Sequence, residues 1–185
     1  MILSDKDIRA AIKKNEIKVT PFVEENVQPA SVDLTLGNKI RIFRKDKYFL
    51  IDVKESQNFT DLIDVKDSFI LHPGEFILGS TNEIIGLSGK FTARVEGKSS
   101  LGRIGVITHA TAGFIDPGFE GNITLELGNV GSLPVKLYPG MKIAQISFLQ
   151  MSSEPEKLYG EGKLNSKYKG DKGPVESRIH LNFKK

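Results

Sequence analysis

There is no cysteine in the 185 residues, and that absence removes disulfide frameworks and thiolate metal sites together. No apolar run is long enough to cross a bilayer. The opening Met1-Ile2-Leu3-Ser4-Asp5-Lys6-Asp7 also has no basic stretch leading into a hydrophobic one, so a cytoplasmic protein without membrane contact is the expectation. Charge of one sign is lacking as well. The 26 basic side chains face 23 acidic ones, a formal net charge of +3. The pI of about 9.0 reflects that small excess and not a basic patch for nucleic acid. No internal repeat divides the chain. Hydrophobic content of 39% suits one domain, 1–185, with a sizeable core.

What is present is mostly strand-like. Ser4 followed three positions later by Asp7, with Ile8, Ala11 and Ile12 on one face, predicts a capped helix ending near Asn15. From Pro21 onward the period becomes two: Val32, Leu34 and Leu36 alternate with Asp33 and Thr35, and Gly37-Asn38 turns the chain before Ile40 and Ile42. Further strands are predicted at 69–71, 76–78, 91–95, 104–108, 123–127, 135–137 and 143–149, with turns at His72-Pro73-Gly74 and Tyr138-Pro139-Gly140. Many short strands spaced this way predict a mainly β sandwich, jelly roll or barrel. The polar stretch 46–67 reads as an excursion with its own hairpin.

One region carries more polar chemistry than folding requires. Lys98-Ser99-Ser100-Leu101-Gly102-Arg103 is followed by Thr111-Ala112-Gly113-Phe114-Ile115-Asp116-Pro117-Gly118-Phe119 and then Ile123-Thr124-Leu125-Glu126-Leu127. In a strand over 123–127 the apolar residues share one face, and Thr124 and Glu126 share the other. With Ser99 and Arg103 as donors and Asp116 as an acceptor, this is an inventory for holding a phosphorylated small molecule beside a proton-transferring carboxylate. From 152 onward glycines and lysines alternate, a composition that suits either a solubilising tail or a lid whose lysines, with Tyr159 and Tyr168, close on polyanionic phosphates.

Several motifs in order resemble the dCTP deaminase family over nearly the whole chain. They are Met1-Ile2-Leu3-Ser4-Asp5, Pro29-Ala30-Ser31-Val32-Asp33-Leu34-Thr35-Leu36-Gly37, Gly97-Lys98-Ser99-Ser100-Leu101-Gly102-Arg103, the run from Thr111 to Phe119, Thr124-Leu125-Glu126, Pro139-Gly140-Met141-Lys142-Ile143-Ala144-Gln145, Ser166-Lys167-Tyr168 and Ser177-Arg178. The resemblance implies a distorted jelly roll of the dUTPase-like type with a short N-terminal helix. It also implies a homotrimer with active sites between subunits, a lid over 152–185, and magnesium carried by the substrate triphosphate instead of by side chains. By the same resemblance Glu126 is the carboxylate that activates water for attack on cytosine C4, while Ser99 and Arg103 orient water and stabilise charge. Lys98, Ser99, Ser100, Leu101, Gly102, Arg103, Thr124, Leu125 and Gln145 are implied to bind substrate, Asp116 to contact the deoxyribose, and Tyr159 and Lys167 to reach the phosphates. dTTP is implied as an inhibitor.

Two departures and one rejected route complete this reading. Where the family commonly has glutamine, this chain has Asp171, an acid that would repel phosphate. Where deaminase-only members typically carry a histidine-arginine pair, it has Gly113-Phe114, which resembles the bifunctional members that convert dCTP directly to dUMP. Alternatives are a deaminase releasing dUTP and, from a different class, a non-catalytic nucleotide-binding trimer. Zinc chemistry is rejected because the chain offers only His72, His109 and His180 and no cysteine. His109 is read as a buried histidine bonded to backbone, with coupling of a ligand to the loop beyond it as the second reading.

Overall fold

Ser4 behaves as the sequence predicts. In a computed structural model describing residues 1–56, 58–164 and 166–183, its hydroxyl caps helix α1 (Asp5–Lys13) by accepting from the Asp7 N–H. Ile8 and Ala11 are buried. Asn15 then takes φ of 57°, a conformation asparagine tolerates better than most residues, and turns the chain into β1 (Ile17–Thr20), a strand absent from the sequence reading.

The remaining strands are β2 (Val27–Gln28), β3 (Ser31–Thr35), β4 (Lys39–Phe43), β5 (Thr60–Asp64), β6 (Phe69–Leu71), β7 (Phe76–Leu87), β8 (Phe91–Gly97), β9 (Val106–Ile107), β10 (Phe114–Ile115), β11 (Glu120–Asn129), β12 (Val135–Leu137) and β13 (Lys142–Gln150). One sheet runs β5-β4-β7-β11-β9 with β1 also on β7, and a second runs β10-β8-β13-β3-β2. A small third sheet pairs β12 with β6, and the strands of all three sheets pair antiparallel. The two larger sheets contribute to one apolar cluster, with Ile77, Ile85, Leu125 and Leu127 from one and Leu34, Ala93, Ile146 and Phe148 from the other. Each fully buried aliphatic or aromatic side chain there contributes about 1.5–3 kcal/mol. The predicted mainly β class is thus observed.

Two local expectations need correction. The run 76–78 is only the start of twelve-residue β7. The strand continues through Ser80, Thr81 and Glu83, which are buried yet satisfied: Thr81 donates to the Glu83 carbonyl at 2.8 Å, and the Glu83 carboxylate accepts from the N–H and hydroxyl of Thr35. Polarity that ends a strand in sequence is here absorbed by partners. The strand predicted over 104–108 shrinks to β9. The turn that precedes it is a single helical turn, α2 (Ser99–Gly102), and Gly105 at φ 85° comes so close to Gly131 that a Cβ would lie 2.5 Å from the latter's backbone. The excursion at 46–67 does contain a hairpin arm, because β5 pairs back onto β4 from Phe43 opposite Thr60 to Lys39 opposite Asp64.

Of the segment 152–185, positions 165, 184 and 185 lie outside the described residues. The rest packs on the body. Tyr159 N–H donates to the Pro117 carbonyl, Gly170 N–H to that of Glu120, and Asn122 N–H to that of Asp171.

Candidate active site

β11 is the spine of the site. Its alternation buries Ile123, Leu125 and Leu127 and leaves Asn122, Thr124 and Glu126 half-buried on the opposite face. Those three line a cavity of about 590 Å³ together with Asp116, Phe114, His109, Tyr159 and Tyr168. One Glu126 oxygen accepts from the Ala110 N–H at 3.1 Å, which ties the carboxylate to the loop carrying Gly113 and Phe114. Among the described residues the other oxygen has no hydrogen-bond partner, so one lone-pair face remains for water or a ligand proton. Asp116 serves two purposes: its carbonyl accepts from the Phe119 N–H in a turn, while its exposed side chain lines the cavity.

The electrostatics of this cavity are lopsided. Asp52, Glu55, Asp116, Glu126, Asp171 and Glu176 line it, and among the described lining residues there is no lysine or arginine. Asp171 and Glu176 are neutralised from behind. Asp171 takes both terminal nitrogens of Arg178, at 2.9 and 2.7 Å, and Glu176 lies 3.7 Å from Arg41. Asp171 is thus bound up in a bidentate pair, where the sequence reading made it a free acid repelling phosphate. A polyanion placed here would meet carboxylates with no cation of the same wall to answer it.

The cations that the sequence analysis gathered with Glu126 lie elsewhere. Lys98, Ser99, Ser100, Arg103, Gln145 and Lys167 do not line the cavity. Lys98 is ion-paired to Asp33, which is 3% exposed and also takes Lys142 at 3.0 Å. Ser99 and Ser100 are exposed on α2, and Arg103 folds back to donate to the Ser99 carbonyl at 3.0 Å. Leu101 and Leu125 point into the core, so only their backbone groups are left for a ligand. A Cβ at Gly102 would meet nothing within 4 Å, and nothing in this chain requires glycine there. Gln145 stands opposite Asp33 on β3 and Glu96 on β8.

A family model described as dCTP deaminase-like matches residues 2–151. The chain belongs to that family. It is 53% identical over 186 residues to a protein of Corynebacterium jeikeium named dCTP deaminase, dUMP-forming, covering 99% of each chain. It is 52% identical to one of the same name from Pseudarthrobacter chlorophenolicus, covering 99% of this chain and 97% of that one. Among solved structures it is similar to the 2'-deoxycytidine 5'-triphosphate deaminase of Agrobacterium tumefaciens, with a TM-score of 0.63 and 25% identity. That match covers 80% of this chain and spans 47% of the Agrobacterium chain.

In this dCTP deaminase-like chain the marker pair is placed by backbone. Phe114 stands opposite Arg94 on β8 and lines the cavity, and Gly113 sits where a Cβ would come 2.5 Å from the Val95 carbonyl oxygen. His109 corrects the sequence reading: both its ring nitrogens are buried and neither has a hydrogen-bond partner among the described residues, so backbone bonding there does not explain it. Tyr159 lines the cavity, but its hydroxyl accepts from the N–H groups of Lys167 and Tyr168 at 3.2 and 3.1 Å, closing a loop of the C-terminal segment. Thr124 accepts from the Val175 N–H at 3.2 Å. Asn122 was missed from sequence. Its amide donates to the Thr81 and Glu83 carbonyls and its oxygen accepts from the Gly173 N–H, so it joins β7, β11 and the C-terminal segment. No residue pattern around it marks that role.

Proposed function

We propose that this chain deaminates dCTP at cytosine C4 and carries the nucleotide on to dUMP, consuming two waters and releasing ammonia and diphosphate. The observation that carries the reading is Glu126, a carboxylate with one oxygen held by the Ala110 N–H and the other open to a cavity that also receives Asp116 and Phe114. Glu126 takes a proton from water as it attacks C4 and passes it to the ring nitrogen, then takes the proton of the new C4 hydroxyl and passes it to the amine, which leaves as ammonia as the C4–N bond breaks and the carbonyl forms. Asp116 accepts from the sugar 3'-hydroxyl. The full-length relatives named dUMP-forming and the Gly113-Phe114 pair support the second hydrolysis, attack of water on the α-phosphate with diphosphate leaving.

A cavity whose described lining holds six carboxylates and no lysine or arginine supports a shared site. Ser99 and Arg103 of a second copy supply a further hydroxyl donor and the guanidinium cation that the described lining lacks, within a homotrimer of jelly-roll subunits. Magnesium comes with the triphosphate, whose charge it offsets. The C-terminal segment is the lid, and dTTP competes for the same cavity. Incubation with dCTP and magnesium, with products resolved, tests the whole reading. dUMP with equimolar ammonia and diphosphate is expected. Accumulating dUTP would reduce the activity to deamination alone, and unchanged dCTP would make the protein a nucleotide-binding module. No helix of the described residues is long and apolar enough to cross a membrane.

A further inference from the structure

The C-terminal segment crosses the cavity between two seams. The first runs along β11. Gly170 N–H donates to the Glu120 carbonyl at 2.7 Å, the Asp171 carbonyl accepts from Asn122 N–H at 3.1 Å, and Gly173 and Val175 donate to the side chains of Asn122 and Thr124. Such pairing to a strand edge rests largely on backbone groups.

The second seam is one polar node on the opposite side, and it is built from side chains. Arg41 on β4 donates through Nε to the Pro174 carbonyl at 2.8 Å and through a terminal nitrogen to the Thr60 hydroxyl at 3.1 Å. The same nitrogen lies 3.7 Å from Glu176 Oε1. Thr60, which is 2% exposed, gives its N–H at 2.7 Å and its hydroxyl to that same carboxylate oxygen. Arg41 and Glu176 are each 21% exposed at the side chain, so water screens the node only in part. A guanidinium can address a carbonyl and a carboxylate at once through its fixed fork; an ammonium cannot. Thr60 and Glu176 line the cavity, whereas Arg41 does not and belongs to none of the motifs that mark the family.

We infer that Arg41 is a positioning residue. With Thr60 and Glu176 it clasps residues 173–176 of its own chain and so holds the strap shut over the cavity, setting nucleotide affinity without touching nucleotide. The identity of that nucleotide rests on the function proposed above; the clasp itself does not. If the closed strap is the binding-competent form, apparent affinity scales with its population. Removing one partner of a charge-assisted hydrogen bond then lowers that population about tenfold or more.

Two readouts on Arg41→Gln test this. Limited trypsin digestion without nucleotide reports strap opening at Lys167, Lys169 and Lys172, and cleavage there is expected to speed up about tenfold while the body stays intact. The KM for dCTP should rise by a similar factor with kcat changed less than about twofold, since the closed complex holds the same reacting groups. Arg41→Lys should fall between, keeping the charge but not both contacts. If Arg41→Gln does not fold, Thr60→Val read in the same two ways decides the matter, because it deletes a donor to Glu176 at nearly constant volume. Unchanged strap cleavage with unchanged KM, or a fall in kcat at constant KM, overturns the assignment. If the wild type does not turn over dCTP, the proposed function fails, and the trypsin comparison still decides the clasp.

Discussion

The wall formed by β11 and the turn formed by α2 are built on opposite electrostatic plans. The β11 wall presents carboxylates to a cavity without a lysine or arginine among its described lining residues. The α2 turn presents two exposed serines and Arg103, with Lys98 held back by buried Asp33. Under the function proposed above, the contrast teaches that one chain carries a proton-transferring half and an anion-receiving half without lining a single cavity with both. In the proposed shared site the cation comes from a second copy, where it stabilises charge that develops during the reaction.

The largest effect should come from breaking each half and then mixing the pieces. Glu126→Gln is expected to bind dCTP yet lose ammonia release by about two to four orders of magnitude, the usual range for a general base. Arg103→Ala should be nearly as inactive for want of charge stabilisation. If the two halves meet between copies in a cyclic trimer, randomly reassembled mixtures of the two inactive variants regain roughly a quarter of intact sites. Ammonia release from the mixture measures this. No recovery after verified subunit exchange would mean that each chain completes its own site, and the separation of halves would have to be abandoned.

The two halves differ also in how far they could be read from residues alone. Glu126 was legible because a period of two over 123–127 requires it to face away from Ile123 and Leu125, and β11 keeps that alternation from Glu120 to Asn129. Capping by Ser4 was equally plain, since the signal is local. The α2 side was not legible, because the partner that fixes Lys98 is Asp33, 65 positions away, and a long-range ion pair leaves no mark on local periodicity. The middle of β7 was lost for a related reason: Thr81 and Glu83 look like loop residues until Thr35 and Asn122 satisfy them. Asp171 was misread because its partner Arg178, seven residues on, was counted only as part of a motif.

A smaller effect sharpens the comparison at the loop that links the halves. A Cβ at Gly113 would stand 2.5 Å from the Val95 carbonyl oxygen and 3.6 Å from His109. Gly113→Ala therefore has to push the loop off β8, moving Phe114 at the cavity more than it moves Glu126, which is anchored in mid-strand. Misplacing a reacting group by about 1 Å can cost up to roughly a hundredfold in rate. Diphosphate release is expected to fall about tenfold or more, with deamination falling less and dUTP appearing as product; Gly113→His should exaggerate the split. Equal loss of ammonia and diphosphate would remove Gly113 as the determinant of the second hydrolysis.

The smallest effect concerns which lysine anchors the α2 side. Asp33 is buried and holds two cations, but the Lys142 side chain is 45% exposed while that of Lys98 is 25% exposed. A carboxylate left with one good partner remains compensated, whereas one left with none becomes an uncompensated buried charge, at about 3–5 kcal/mol. Lys142→Met should thus cost no more than about 1 kcal/mol, since the lysine is nearly half solvated and Lys98 still compensates Asp33. In thermal denaturation that is a fall in Tm of about 2–4 °C for a chain of this size, with little change in the KM for dCTP because the α2 turn keeps Lys98. A loss as large as that of a broken buried pair would transfer the anchoring of α2 from Lys98 to Lys142, and would place the strand from Lys142 to Gln150, not the turn, at the root of the cationic half.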